Sequence, residues 1–303
     1  MTPIDRRTLL HGLVAAGLAT ALPAFGQSPE PLATPAGGPS PALPAVGLGS
    51  WITFNVGNDP VLLDECAAVM EAFFAAGGRM IDSSPMYGSS QGTIGYGLKT
   101  LGRTDVFSAD KVWTPLGTEG REQIETSRAL WTVPAFSLLQ VHNLVAVEEH
   151  LPMLFEMKAA GTVGHVGITT SHGRRHEDVA KLMETQPLDF VQFTYNPVDR
   201  SAEERLLPLA RERGITAIVN RPFRQGQLTR QLEGEPLPGF ASELGASTWA
   251  QLILKFILSS HAATLPIPAT TVPAHAAENV AAAAGPMPDR AMREAIAAAI
   301  GDI

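Results

Sequence analysis

Asp82 and Tyr87 stand five residues apart in MIDSSPMYGSS, residues 80–90, where an apolar pair runs into Gly, Ser and Pro. The chain has only 3 tyrosines, so one placed in such a turn calls for a reason. A phenol with its ordinary pKa near ~10 neither gives nor takes a proton readily at neutral pH unless a cation sits beside it. Lys111 closes the apolar run VFSADK, and His142 closes AFSLLQVH. Together the four could protonate an oxygen as hydride arrives at the neighbouring carbon. Tyr87 would be the general acid and Lys111 its tuner, with Asp82 holding the ammonium and His142 donating a hydrogen bond to the same oxygen. Singly, Asp82 could cap the turn, Tyr87 could pack in the loop and His142 could sit satisfied in the core. Lys111 resists such a reading, because interior lysines are rare without a partner.

Residues so far apart in sequence need a scaffold that gathers them. From Pro44 onward, short apolar runs alternate with amphipathic helical patterns. The runs at 45–50, 80–83, 106–112, 135–142, 165–170, 189–195, 216–220 and 264–268 read as strands. VLLDECAAVMEAFFAAGG, EDVAKLMET, AEERLLPLARERG and STWAQLILKFILSS read as helices, several closed by Gly. Eight strand–helix units in about 260 residues predict a single α/β domain, a (β/α)8 TIM barrel over 44–303, with the ends of its strands meeting around one mouth. Trp249 and its aliphatic neighbours read as a barrel-facing helix, and the Ala-rich end as a terminal helix. The rival, an open doubly wound sheet, would carry a glycine-rich dinucleotide fingerprint after its first strand. VGLGSW supplies two of those glycines and then a tryptophan. GYGLKT lacks the adjacent Gly-Lys of a Walker loop.

In this order along the chain, VGLGSW, MIDSSPMYGSS, SADKVW, LLQVHN, VGITT, DFVQFTYN, IVNRPFRQGQL and IPATTVPAHAAENV resemble the aldo-keto reductases, covering residues 44 to about 284. The resemblance implies reduction of an aldehyde or ketone by a nicotinamide cofactor lying extended across the mouth. Matched position by position, it puts Asp82, Tyr87, Lys111 and His142 in the catalytic tetrad. It sets Thr169, Thr170 and Gln192 against the nicotinamide carboxamide, with Trp51 in the substrate pocket. Asn220 falls where the family often stacks a tyrosine on the nicotinamide. Arg221, Pro222, Phe223 and Leu228 would run along the pyrophosphate, and Thr270, His275, Glu278 and Asn279 would hold the adenosine end near a helix N-terminus. The implied cofactor is NADP(H), with NAD(H) the alternative. The cations that commonly clamp a 2′-phosphate fall on Ala269 and His275 here, and a neutral histidine binds phosphate more weakly than a bidentate arginine. Thr169-Thr170 also replaces the family's usual Ser-Asn.

The first 26 residues raise a different question. Arg6-Arg7 precedes HGLVAAGLATALPAF, which is too short and too weakly apolar for a membrane span. It resembles a twin-arginine export signal with AFG ahead of the cleavage point, which implies passage through the twin-arginine export machinery to the periplasm; a cytoplasmic working pool is the alternative. Residues 27–43 carry prolines 29, 31, 35, 39 and 41 and read as a disordered linker.

Other partners are narrowed by composition. A formal net charge of −8 and a pI near 5.5 offer nothing to a phosphate backbone, so nucleic acid is not expected. Cys66 sits among apolar neighbours with no base nearby in sequence and reads as packing. His172 and His176 in SHGRRHEDV could share a helix face, but the intervening arginines disfavour a metal, and none is expected. A barrel hydrolase would need two opposed acids, which the strand ends do not offer. The second functional reading is a barrel that binds nicotinamide without turnover, as a redox sensor or partner-docking module.

Overall fold

The computed structural model describes residue 43 and residues 45–260 and 263–301; the expected export signal and all of the expected linker but Leu43 lie outside the described residues. Eight parallel strands pair in sequence order: β1 (Leu48–Gly49), β2 (Met80–Asp82), β3 (Phe107–Val112), β4 (Phe136–Val141), β5 (Val163–Thr169), β6 (Phe190–Thr194), β7 (Thr216–Asn220) and β8 (Thr264–Pro266). Gly47 N–H donates to the Pro266 carbonyl at 2.9 Å and Gly49 N–H to the Pro268 carbonyl at 3.0 Å, which joins first strand to last and closes the barrel. All eight predicted runs are strands. Pro266 and Pro268 have no N–H to donate, so regular pairing stops early there and β8 and β1 are shorter than their apolar runs.

Along each strand, alternate residues enter different layers. Ile81, Leu139, Val191 and Val219 face outward into the large cluster shared with the helices. Met80, Phe107, Ala109, Leu138, Phe190, Ile218 and Leu265 face inward and fill the barrel floor, joined by Leu43, which composition had assigned to the linker. His165 lies against this floor, stacked on the Phe107 ring and edge-on to Phe190. One step of two residues above the floor, the inward positions become polar: Asp82, Lys111, Gln140, Thr169, Gln192 and Asn220. The same periodicity that packs the floor therefore points the candidate residues into the mouth. Gly167 belongs to this inner face for want of space: a Cβ there would sit 2.7 Å from the Phe190 carbonyl and 3.2 Å from Gln140.

The helices α1 (Pro60–Ala75), α2 (Ser90–Thr100), α3 (Gly120–Trp131), α4 (Val147–Ala159), α5 (His176–Thr185) and α6 (Leu206–Arg213) each follow one strand. α1 starts where Asp59 accepts from the N–H groups of Val61 and Leu62 with Pro60 behind it, the preferred chemistry of a helix start. After β7 come the short α7 (Gln227–Gln231) and the almost wholly buried α8 (Trp249–Leu258); α9 (Pro273–Ala281) and α10 (Arg290–Gly301) follow β8. The Ala-rich α10 is latched to the outer ring by Arg293. This side chain bonds the Phe256 carbonyl, Ser259, Glu203 and the Tyr195 hydroxyl, with its guanidinium over the Phe256 ring. Among the described residues, no helix is long and apolar enough to cross a membrane.

Candidate active site

Asp82, at the end of β2, and Lys111, near the end of β3, are inward neighbours on paired strands, and both are buried. The ammonium lies 2.5 Å from Asp82 Oδ2 and donates to the Ser83 carbonyl at 2.7 Å. Asp82 Oδ1 accepts from Gln192 Nε2 at 3.0 Å and Gln140 Nε2 at 3.2 Å, so both carboxylate oxygens are engaged. Tyr87 ends a 3-10 turn, Pro85–Tyr87, that lays its ring 5.1 Å from the Lys111 ammonium. His142, just past β4, meets that ring edge-on at 5.7 Å between centroids. The chain thus brings all four tetrad candidates together.

Burial drives the electrostatics. It pushes the Lys111 ammonium down, but the Asp82 carboxylate, with further help from Tyr87 and Asp110, holds the lysine above its ordinary value. Burial pushes the His142 imidazole down, with help from the Lys111 charge, to about 3, so the ring is neutral at physiological pH. Tyr87 corrects one expectation. Lys111 does pull the phenol down, yet burial pushes it up more strongly and the net direction is upward. At rest the site therefore holds a protonated phenol, a charged ammonium and a neutral imidazole: a donor ready to give its proton to a nascent alkoxide.

Asp82, Tyr87, His142 and Trp51 line a cavity of about 330 Å³ at the mouth, with Lys111 buried behind them. Thr169, Thr170, Gln192, Asn220, Arg221, Pro222 and Phe223 are also in its lining. Thr169 Oγ1 accepts from the Asn143 N–H at 3.0 Å and steadies the turn after His142, where Asn143, Leu144 and Ala146 all have left-handed backbone. Thr170 Oγ1 donates to the Arg174 carbonyl at 2.6 Å. Asn220 Nδ2 donates to the Thr170 carbonyl at 2.8 Å, and its Oδ1 accepts from Thr194 at 2.7 Å, so it knits three strands together.

Five expected cofactor residues lie outside this lining. The Leu228 side chain is buried in the main core, and its N–H already bonds the Phe223 carbonyl. Thr270 accepts from the Val272 N–H at 3.0 Å, and Asn279 is buried. Glu278 accepts from Thr248, the N-cap of α8, at 2.5 Å, while His275 is exposed.

The residues present fit a dinucleotide. Arg221, Arg224, Gln225 and Gly226 have left-handed backbone, a conformation that turns N–H groups into anion-binding concavities. Arg221 Nε is buried with no partner, and Thr53 Oγ1 in the same cavity lining has none either. α9 begins four residues after Ala269 of the cavity lining and has no side-chain cap, a favourable place for phosphate.

Sequence reasoning missed several members of this arrangement. Gln140 holds Asp82, and only the step of two from Leu138 within β4 would have found it. Ser84 bonds His142 Nδ1 at 2.7 Å and lies inside the very motif that drew attention to Asp82 and Tyr87. Asp110, beside Lys111, is fully buried and faces away from the mouth; Gln91 bonds it at 2.6 Å and the Lys111 N–H at 2.8 Å. His172 is in the cavity lining, in a left-handed turn ahead of α5, while His176 is the first residue of that helix, so the two do not share a helix face. Cys66 is buried in α1, and burial pushes its thiol up to about 11, which leaves it unreactive.

The Aldo/keto reductase family model matches residues 45–299, and the chain belongs to that family. It is 26% identical over 232 residues to the NADH-specific methylglyoxal reductase of Escherichia coli (strain K12), a match covering 66% of this chain and 69% of the relative. It is 30% identical over 181 residues to aldo-keto reductase str7 of Strobilurus tenacellus, covering 55% of this chain but 53% of that relative. The matches thus span between half and about two thirds of these relatives. An aldo/keto reductase from Klebsiella pneumoniae, solved with NADP and acetate, shares the fold with a TM-score of 0.73 at 20% identity, over 86% of this chain and 92% of that one.

Proposed function

We propose that this protein reduces an aldehyde or ketone to an alcohol with NADPH or NADH. Tyr87 is the general acid, Lys111 and Asp82 tune it, and His142 orients the carbonyl. The observation that carries the reading is that one phenol, one neutral imidazole and one carboxylate line a single cavity, with the ammonium paired to that carboxylate and lying 5.1 Å from the phenol ring.

A nicotinamide held there would supply the hydride that the carbonyl carbon takes up. The protein's part is to manage the oxygen. Tyr87 and His142 lie on one wall of the cavity, where two donors can share one carbonyl oxygen and draw charge onto it. As that oxygen gains charge, Tyr87 gives up its proton, and the Lys111 ammonium stabilises the phenolate left behind. Asp82 keeps the ammonium in place, and Gln140 and Gln192 keep Asp82 in place. Asn220, Arg221, Pro222 and Phe223 supply the wall for the cofactor.

NADP(H) is the cofactor implied by the family, and the Klebsiella relative was solved with NADP. NAD(H) is supported by the absence of an arginine or lysine at 269–275 and by the NADH-specific relative. Purified protein, given NADPH or NADH and a panel of aldehydes and ketones, is expected to oxidise many equivalents of cofactor and to yield the alcohol. Stoichiometric binding with no alcohol formed would instead favour the redox-sensor reading.

We also propose export by the twin-arginine route to the periplasm, from Arg6-Arg7 and the apolar stretch behind them. Fractionation of cells producing the full chain, beside an Arg6→Lys, Arg7→Lys variant, tests it. Wild type outside the cytoplasm and the variant inside is the expected result; equal distribution rejects the signal.

A further inference from the structure

A neutral imidazole has one proton and two nitrogens, and only one arrangement suits a ring that must donate to a carbonyl oxygen. His142 Nδ1 lies 2.7 Å from Ser84 Oγ, and both side chains are buried. Among the described residues His142 Nε2 has no hydrogen-bond partner, and it belongs to a residue of the cavity lining without being one of the sealed, unpartnered atoms. Distance alone leaves the Ser84 bond ambiguous, since either group could be its donor.

The rest of the Ser84 environment resolves it. Its oxygen already accepts from the Met86 N–H at 3.2 Å, which caps the 3-10 turn carrying Tyr87. Among the described residues, His142 Nδ1 is the one acceptor within bonding distance for the hydroxyl proton. Were Nδ1 protonated, it would donate to Ser84, the serine proton would be buried without an acceptor, and Nε2 would turn a lone pair toward the carbonyl oxygen. Buried donors are seldom left unpaired, because the desolvation cost is not recovered. With the serine donating, every proton has a place and Nε2–H faces the cavity.

We propose that Ser84 is a positioning residue that fixes His142 as its Nε2–H tautomer, while the same hydroxyl caps the turn that delivers Tyr87. One serine thereby sets both donors that meet the substrate oxygen. Its effect on turnover rests on the carbonyl-reductase reading; the tautomer itself does not.

The test is ¹⁵N NMR of the full chain labelled in histidine, with the His142 signals assigned by their loss in His142→Gln. Wild type is expected to show Nδ1 in the range of a bare ring nitrogen and Nε2 in that of a protonated one; the reverse pattern overturns the proposal. Ser84→Ala is expected to mix the two forms and to lower kcat by about tenfold or more, with cofactor affinity unchanged, and Ser84→Thr to restore both ring signals and rate. A Ser84→Ala protein with the wild-type ring pattern and wild-type kcat overturns it as well. A protein that reduces no carbonyl yet holds the ring in the Nε2–H form would reject the reductase reading and support the assignment of Ser84.

Discussion

The two walls of the mouth are built on opposite plans. On the side of β2, β3 and β4, the charges are matched within the chain: Lys111 against Asp82, Asp82 against two glutamines, His142 against Ser84. On the side of β7 and the loop behind it, Arg221 and Arg224 stand on left-handed backbone. Burial pushes the Arg221 guanidinium down, Asp199 pulls it back, and Arg224 and Arg174 push it down again, so the net direction is downward. The first wall is complete without a ligand. On the second, Arg224 is paired with Asp199 at 3.1 Å, but the buried Arg221 Nε has no partner among the described residues, and an anionic ligand would supply one. Chemistry is preorganised, and binding is left for the cofactor to finish.

Breaking the first wall should cost most. Lys111→Met leaves the Asp82 carboxylate buried beside an alkyl chain, and removal of one partner from a buried ion pair typically costs about 3–5 kcal/mol. Denaturant unfolding should show that loss at neutral pH, and turnover should fall by about a hundredfold or more. A variant as stable as wild type would mean that the two walls do not differ as described.

Arg221→Ala probes the second wall and should act in the other sense. Cofactor affinity is expected to drop about tenfold, the effect of one lost charge-assisted contact, while the cofactor-free protein keeps its Tm or gains slightly as like charges separate. Titration of the cofactor by fluorescence, beside thermal melts without it, checks both halves. A fall in Tm without a fall in affinity would reverse the assignment.

The remaining effects are those of pH. Burial pushes the Asp110 carboxyl up from 3.8 to about 7. A raised folded-state value gives stability that is full below about pH 4 and lost as pH rises through about 7. Asp110→Asn should therefore be more stable than wild type at pH 8, by on the order of 2 kcal/mol, with the difference closing by pH 4. His142 works oppositely. Its value falls from 6.5 to about 3, so its contribution is present above about 6.5 and declines as pH drops toward 3. His142→Asn should flatten that acid-side decline in a series of melts.

Much of this was legible because barrels obey a period of two. Asp82, Lys111 and Gln192 sit two residues beyond inward-facing floor residues, so a strand boundary read from apolar runs also fixed which way they point. Gln140 obeys the same rule and was overlooked only because a glutamine carries no reactive signature of its own. Ser84 and Asp110 depend on partners 58 and 19 residues away, and no local pattern announces them. The Tyr87 phenol was misjudged for a related reason: a neighbouring lysine is visible in sequence, whereas the depth that outweighs it is a property of the assembled fold. The Leu228 side chain, matched to the pyrophosphate, packs in the core, and Glu278, matched to the adenosine end, accepts from the α8 N-cap Thr248, contacts that sequence matching cannot see.

The central claim is that the Tyr87 hydroxyl delivers the proton and does little else. Tyr87→Phe, which keeps the ring and deletes the hydroxyl, tests it when cofactor binding and single-turnover reduction are measured on the same sample. Wild-type affinity with reduction slowed by about a hundredfold to ten-thousandfold is the expected outcome. Reduction at the wild-type rate would contradict it and move the acid elsewhere in the cavity.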